Sequence, residues 1–229
     1  GKKVKGSDEL RFVRLPSQDR VYTVNVDPQA LSTKFEDWIE TDLLKISEWD
    51  IKQVIIKDYS VQTALGPDLR MHVTDYDQRL QMMLSLDNSK WSLDELLETR
   101  GDQMLMPTEL LEGEELDSSR MDDMKQALAD LEIVDVERKP EGLGKELRAE
   151  EDFLEDSDSL QSLVRKGFYP VKLSDSSDLE LLSSDGEIIV HTEDGVEYLL
   201  RFGQVAGLEE SDESGEAEGL NRYLFVTTR

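Results

Sequence analysis

Alternation of apolar and polar positions is clearest in residues 186–203, where Ile188, Val190, Tyr198 and Leu200 share one side and Glu187, His191, Glu197 and Arg201 the other. This pattern predicts a β-hairpin. A two-residue Asp194-Gly195 loop would face Ile188 with Arg201 and Val190 with Leu199. A three-residue Glu193-Asp194-Gly195 loop pairs Thr192 with Val196, Val190 with Tyr198, Ile188 with Leu200, His191 with Glu197 and Glu187 with Arg201. The second register collects every charge on one face, with Ile189 and Leu199 meeting in its middle, so it is preferred. Gly195 then takes the left-handed position of the bulge.

The same reasoning runs along the rest of the chain. Leu10–Leu15 and Val21–Val26, flanking Pro16-Ser17-Gln18-Asp19, predict a second hairpin. Asp27-Pro28 followed by Leu31, Phe35, Trp38, Ile39 and Leu43 at helical spacing predicts a helix from about Pro28 to Leu44, its stripe covering a sheet. Ile51–Val61 reads as an interior strand. Gly66-Pro67-Asp68 is a turn, and Leu69–Thr74 and Arg79–Leu86 read as two strands joined through Asp75–Gln78. Asp87-Asn88 opens another turn, and Trp91–Leu97 reads as either a strand end or a short helix. Residues 101–117 read as a long acidic connection whose main apolar content is Met104, Leu105 and Met106.

Ser119–Leu131 reads as a helix with Met121, Met124, Leu128 and Leu131 in one stripe. Ile133–Glu137 alternates as a short strand and Pro140–Gly144 is a loop. Acids crowd Glu150–Asp158, Ser159–Gly167 ends like a helix, and Phe168–Leu173 is the next strand. Residues 207–219 hold six acids and no base and read as a solvated loop, before a closing strand in Asn221–Arg229.

Charge changes the picture. Across 229 residues, 52 Asp and Glu face 26 Lys and Arg, a formal net charge of −26 that repels nucleic acid phosphates and anionic membrane surfaces. The excess is uneven: residues 1–26 hold six bases (Lys2, Lys3, Lys5, Arg11, Arg14, Arg20) against three acids (Asp8, Glu9, Asp19), so the start faces acidic segments or a partner. Apolar runs are too short to span a bilayer, and the start has no signal-peptide core. Gly1 in place of an initiating Met suggests either a trimmed start or a piece of something longer. The absence of cysteine excludes disulfides and thiolate chemistry and leaves the compartment undecided.

Candidate chemistry is sparse. His72 and His191 each stand alone in a predicted strand and read as ordinary strand histidines. Gly142-Leu143-Gly144-Lys145 lacks the spacing of a phosphate loop. Asp156-Ser157-Asp158 and Asp212-Glu213-Ser214-Gly215 offer oxygens to calcium without the spacing of a complete loop. Met82-Met83 and Met104-Leu105-Met106 read as core filler. No residue is assigned a catalytic, cofactor-binding or metal role, and no cofactor is expected.

Val4-Lys5-Gly6 before Arg11-Phe12-Val13 is echoed by Val205-Ala206-Gly207 before Arg222-Tyr223-Leu224, which suggests a repeated unit whose second copy lacks its hairpin partner. Gly1-Lys-Lys-Val-Lys-Gly, Leu10-Arg-Phe-Val-Arg-Leu-Pro, Arg20-Val-Tyr-Thr-Val, Phe35-Glu-Asp-Trp and Asp42-Leu-Leu resemble the bacterial family called domain of unknown function 4340, as do Asp194-Gly-Val-Glu-Tyr198 and Phe202-Gly203. The resemblance implies an envelope protein tethered by an N-terminal helix, in some relatives auxiliary to ABC-type exporters including gliding-motility systems. It carries no catalytic residue.

The expectation is therefore an α+β fold of largely antiparallel, repeat-related sheets with two or three packed helices. Residues 1–100 form one unit, 101–117 an acidic connection and 118–229 a second unit. The function expected is a non-catalytic binding or scaffolding module, extracytoplasmic and membrane-anchored through a segment outside this chain. Its partners would be envelope proteins and not nucleic acid. Two alternatives stand beside it: a hydrolase or lyase using Asp/Glu acid–base chemistry in a cleft, and an acidic mimic of a polyanion.

Overall fold

In a computed structural model the described residues are all but 1, 28–31, 33, 67–70, 102–103, 145, 150–152, 154–155, 173–178 and 207–220. They form two compact units, Gly1–Leu43 with Glu132–Val136, and Leu44–Leu131 with Glu137–Arg229.

The first unit is built on β1 (Leu10–Arg14) and β2 (Val21–Asn25), antiparallel with Phe12 opposite Thr23 and Val13 opposite Tyr22. This is the hairpin that residues 10–26 predict. Val4 N donates to Leu10 O and Phe12 N to Lys2 O, so residues 2–4 occupy the outer edge of β1. Residues 34–44 do not form the predicted helix, whose first residues fall partly outside the described ones. A single 3-10 turn, Phe35–Trp38, lacks a side-chain cap and stops at Ile39, which is extended. Trp38 is 61% exposed, its indole N–H on Ser32 O, and covers no sheet. The backbone is spent otherwise: Thr41 O accepts from Ile133 N and Asp42 bridges Glu132. The strand expected at Ile133–Glu137 does not form, and the bridge beside it is made by Glu132.

In the second unit the strands are β3 (Ile51–Leu65), β4 (Met71–Asp87), β5 (Lys90–Arg100), β6 (Met104–Pro107), β7 (Arg148–Ala149), β8 (Phe168–Lys172), β9 (Leu179–Ser183), β10 (Glu187–Thr192), β11 (Glu197–Val205) and β12 (Arg222–Thr228). The helices are α1 (Ser118–Ala129) and α2 (Ser157–Arg165). One seven-stranded sheet runs β12-β11-β10-β3-β4-β5-β6 and a three-stranded sheet runs β7-β9-β8, every pairing antiparallel. A largely antiparallel α+β fold, with two α-helices among the described residues, is thus what the chain adopts. The two copies of the suggested repeat lie in different sheets, β1 in the two-stranded one and β12 at an edge of the seven-stranded one.

The hairpin of residues 186–203 forms in the three-residue register, with Glu187 opposite Arg201 and His191 opposite Glu197, and Gly195 has φ +88°. The strands expected at Leu69–Thr74 and Arg79–Leu86 are instead one continuous β4, residues 67–70 lying outside the described ones. Its Asp75–Gln78 stretch resembles a turn only in composition. Tyr76 tilts against Tyr59 at 5.2 Å, Arg79 Nε donates to Asp58 at 3.0 Å across the ladder, and register shifts at Asp58/Tyr59 and Gln62/Thr63 absorb the irregularity. The real turn comes at Asn88-Ser89, both with positive φ, which joins β4 to β5 by a two-residue loop of the primed kind and settles residues 91–97 as strand. Residues 101–117 are not wholly connection, since Met104–Pro107 pairs with β5 as an edge strand. Met104 and Met106 are exposed there and fill no core.

Both faces of the seven-stranded sheet are covered near its middle. Val54, Leu84, Val190 and Leu200 are fully buried on one face, each worth about 1.5–3 kcal/mol by burial. On that face Trp91 donates its indole N–H to Asp122 of α1. α1 is capped by Asp117, which accepts from Ser119 N and Arg120 N. α2 is capped by Asp156 and followed by Gly167 at φ +81°. α2, β8 and β9 contribute Leu163, Phe168, Leu179 and Leu181 to a core with Leu143, Leu147 and Phe153, against which Tyr223 and Phe225 of β12 pack.

Candidate functional site

Register places Lys57 on β3, Glu187 on β10 and Arg201 on β11 side by side in one row across the seven-stranded sheet. Cross-strand neighbours share a face, so the three charges converge. Lys57 Nζ donates to Glu187 Oε1 at 2.6 Å and Arg201 Nε to Glu187 Oε2 at 2.9 Å. β9 adds the opposing layer. Arg201 Nη2 donates to Glu180 Oε1 at 2.8 Å, and the Tyr59 hydroxyl lies 3.1 Å from Ser183 Oγ and 3.5 Å from Glu187 Oε2. Ser183 Oγ donates to Gly186 O at 2.6 Å. Gly186 itself is obligatory: at φ +81° an added Cβ would stand 2.5 Å from Lys57 O.

Glu187 is 6% exposed and Arg201 2%. Burial pushes the Glu187 carboxyl up, but Arg201 and Lys57 more than offset it and hold it below the usual carboxylate range. The Tyr59 phenol is pushed up to about 12, by burial first and then by the Glu187 charge. Burial likewise raises Tyr76. At neutral pH the centre is an ionised carboxylate between two cations, with two neutral phenols beside it. Arg201 Nη1 is buried without a hydrogen-bond partner, so the guanidinium is fixed by its other nitrogens alone. A carboxylate held low takes up no proton at neutral pH, and the arrangement acts as an electrostatic clamp between the sheets.

A second charged centre sits on α1. Lys125 is buried, 3.5 Å from Glu48, 3.7 Å from Asp122 and 4.9 Å from the centre of the Trp49 ring.

The residues weighed from sequence do not assemble. His72 pairs with Ala64 of β3 and His191 with Gln53, eleven residues apart along one strand, which is roughly 36 Å at the usual rise. His191 Nε2 lies 3.8 Å from Glu197. Asp156 is spent on the α2 cap, and residues 212–215 lie outside the described ones. Leu143, in the glycine-flanked segment 142–144, is a buried core residue. No group of three or more acidic, His or Cys ligands that could hold a metal occurs among the described residues. Among them, too, no helix is long and apolar enough to cross a membrane.

The family model described as "Domain of unknown function (DUF4340)" matches residues 1–148. The chain belongs to this family. The DUF4340 match takes in Lys57, Tyr59 and Tyr76 and stops short of Ser183, Glu187 and Arg201. Comparison with curated proteins and with solved structures finds no match.

Proposed function

We propose that this DUF4340 chain is a non-catalytic binding or scaffolding module, the extracytoplasmic part of a membrane-anchored envelope protein that serves an ABC-type exporter. The observation that carries the binding role is the surface of the first unit. None of its described residues is buried, while Phe12, Val13, Leu15, Val21, Tyr22 and Trp38 are exposed. Apolar side chains left open in this number are covered by a partner. The envelope and exporter setting is what the sequence resemblance implies, and the net charge of −26 argues for protein partners rather than nucleic acid.

Neither alternative gains an observation. Acid–base hydrolysis needs a carboxyl with a raised pKa, and Glu187, the most buried carboxylate among the described residues, is held low. Polyanion mimicry needs acids free to meet a partner, whereas Asp58, Glu180, Asp185 and Glu187 each face an arginine or lysine of the chain itself. The test is to express the complete reading frame with the exporter components encoded beside it and to purify from membranes. Co-elution of the protein with the exporter supports the reading. A complete reading frame without an anchor segment and without exporter neighbours overturns it.

A further inference from the structure

The first unit presents more than exposed apolar side chains. Its sheet ends on one side at residues 2–4, which take up the outer edge of β1. On the other side it ends at β2, whose outer edge has no strand beside it among the described residues. An open edge of backbone N–H and C=O groups is a template for a further strand. No proline or lysine interrupts Val21-Tyr22-Thr23-Val24-Asn25, and Val21 is 60% exposed.

Charge selects the occupant. Lys3 is paired with Asp8, and the Glu9 carboxylate takes Asn25. Arg14, which stands opposite Val21, and Arg20, which precedes it, have no ion-pair partner among the described residues, although acids outnumber bases two to one in the chain. Arg11, opposite Val24, keeps its Nε buried without a hydrogen bond. An anionic bilayer would meet these arginines but has no backbone with which to use a strand edge. A second copy would set basic hairpin against basic hairpin.

We propose that β2 takes an acidic, apolar-bearing segment of a partner polypeptide as an added strand, its backbone completing the β2 edge and its carboxylates meeting Arg14 and Arg20. The inference rests on the binding-module reading above and names how that module binds. Specificity would come from side chains alternating along the added strand, apolar ones against Tyr22 and Val24 on one face and acidic ones on the face of Val21, which Arg14 shares, with a further acid at the end of the strand beside Arg20.

The test uses the whole chain, labelled with nitrogen-15, and two capped eight-residue probes, one alternating Val and Glu, the other Val and Lys. The Val-Glu peptide is expected to shift the amides of Val21–Asn25, with affinity falling as salt rises and at least tenfold lower for the double variant R14E/R20E. The Val-Lys peptide is expected to leave those amides unmoved. Retained cross-strand contacts between β1 and β2, Phe12 with Thr23 and Val13 with Tyr22, show that the hairpin of the variant is folded. The proposal is overturned by any of four results: no shift at β2, equal binding of both peptides, equal binding by R14E/R20E, or β2 shifts with phosphatidylglycerol vesicles or rising protein concentration in place of the acidic peptide. If the acidic peptide fails while the protein still co-elutes with an exporter, this inference falls and the module reading stands. If the peptide binds and no exporter does, the reverse holds.

Discussion

Arg201 stands directly opposite Glu187 on neighbouring strands and donates its Nε to that carboxylate at 2.9 Å, both side chains almost wholly removed from water. The pair, with Lys57 and Glu180 at its two ends, ties the long sheet to β9. Removing one partner strands a charge. Arg201→Met and Glu187→Leu singly are each expected to cost about 3–5 kcal/mol in urea unfolding, while the double replacement recovers most of that loss. A double-mutant cycle measures the coupling, and a double variant as weak as the sum of the singles would show that the pair does not act as a unit.

Two titrations bracket this centre. The Glu187 pKa is lower in the folded chain than its ordinary 4.5, so its contribution to stability is present above that value and is lost as the pH falls through the folded pKa. The Tyr59 pKa is raised from 10.0 to about 12, so its contribution is complete below 10.0 and lost as the pH climbs toward 12. Absorbance of tyrosinate, compared between the native chain and Tyr59→Phe, is expected to show one phenol that ionises only in that upper window. Ionisation of Tyr59 at the ordinary tyrosine pH would contradict its burial against Glu187.

Two glycines with similar dihedral angles answer differently to a methyl group. Gly195, at φ +88° in an open turn, is expected to lose about 1–2 kcal/mol as Gly195→Ala, the cost of the left-handed backbone alone. Gly186→Ala adds a Cβ pressed on Lys57 O and is expected to lose several times more, because β10 must move away from β3. Thermal melts of the two variants decide it, and equal losses would mean that β10 has room to yield.

What the chain discloses before folding follows from how local the determinants are. The 186–203 register was legible because turn length and alternation agree over a dozen residues, whereas Asp87-Asn88 marked a turn by composition alone and left residues 91–97 open between strand and helix. The centre built on that hairpin was hidden. Pairing of Glu187 with Arg201 was visible, but alternation does not say which face a second sheet will cover, and only Ile189 and Leu199 between the charges hinted at burial. Lys125 left a fainter signal, standing four residues after Met121 and three before Leu128, on the apolar stripe of α1. Over residues 34–44 the expected helix failed because spacing of Phe35, Trp38 and Ile39 counts positions and not partners. With Trp38 in solvent no sheet repays the helix, and Thr41 and Asp42 pair with Glu132 and Ile133 instead.

The central claim is that the first unit is a docking element completed by another protein. Hydrogen exchange of the Val21–Asn25 amides settles it, compared between the isolated chain and the membrane-anchored envelope protein of which we propose it is part. The account predicts fast exchange in isolation and strong protection in the membrane sample, lost in R14E/R20E, with the second unit equally protected in both. Equal exchange of β2 in the two samples would contradict it.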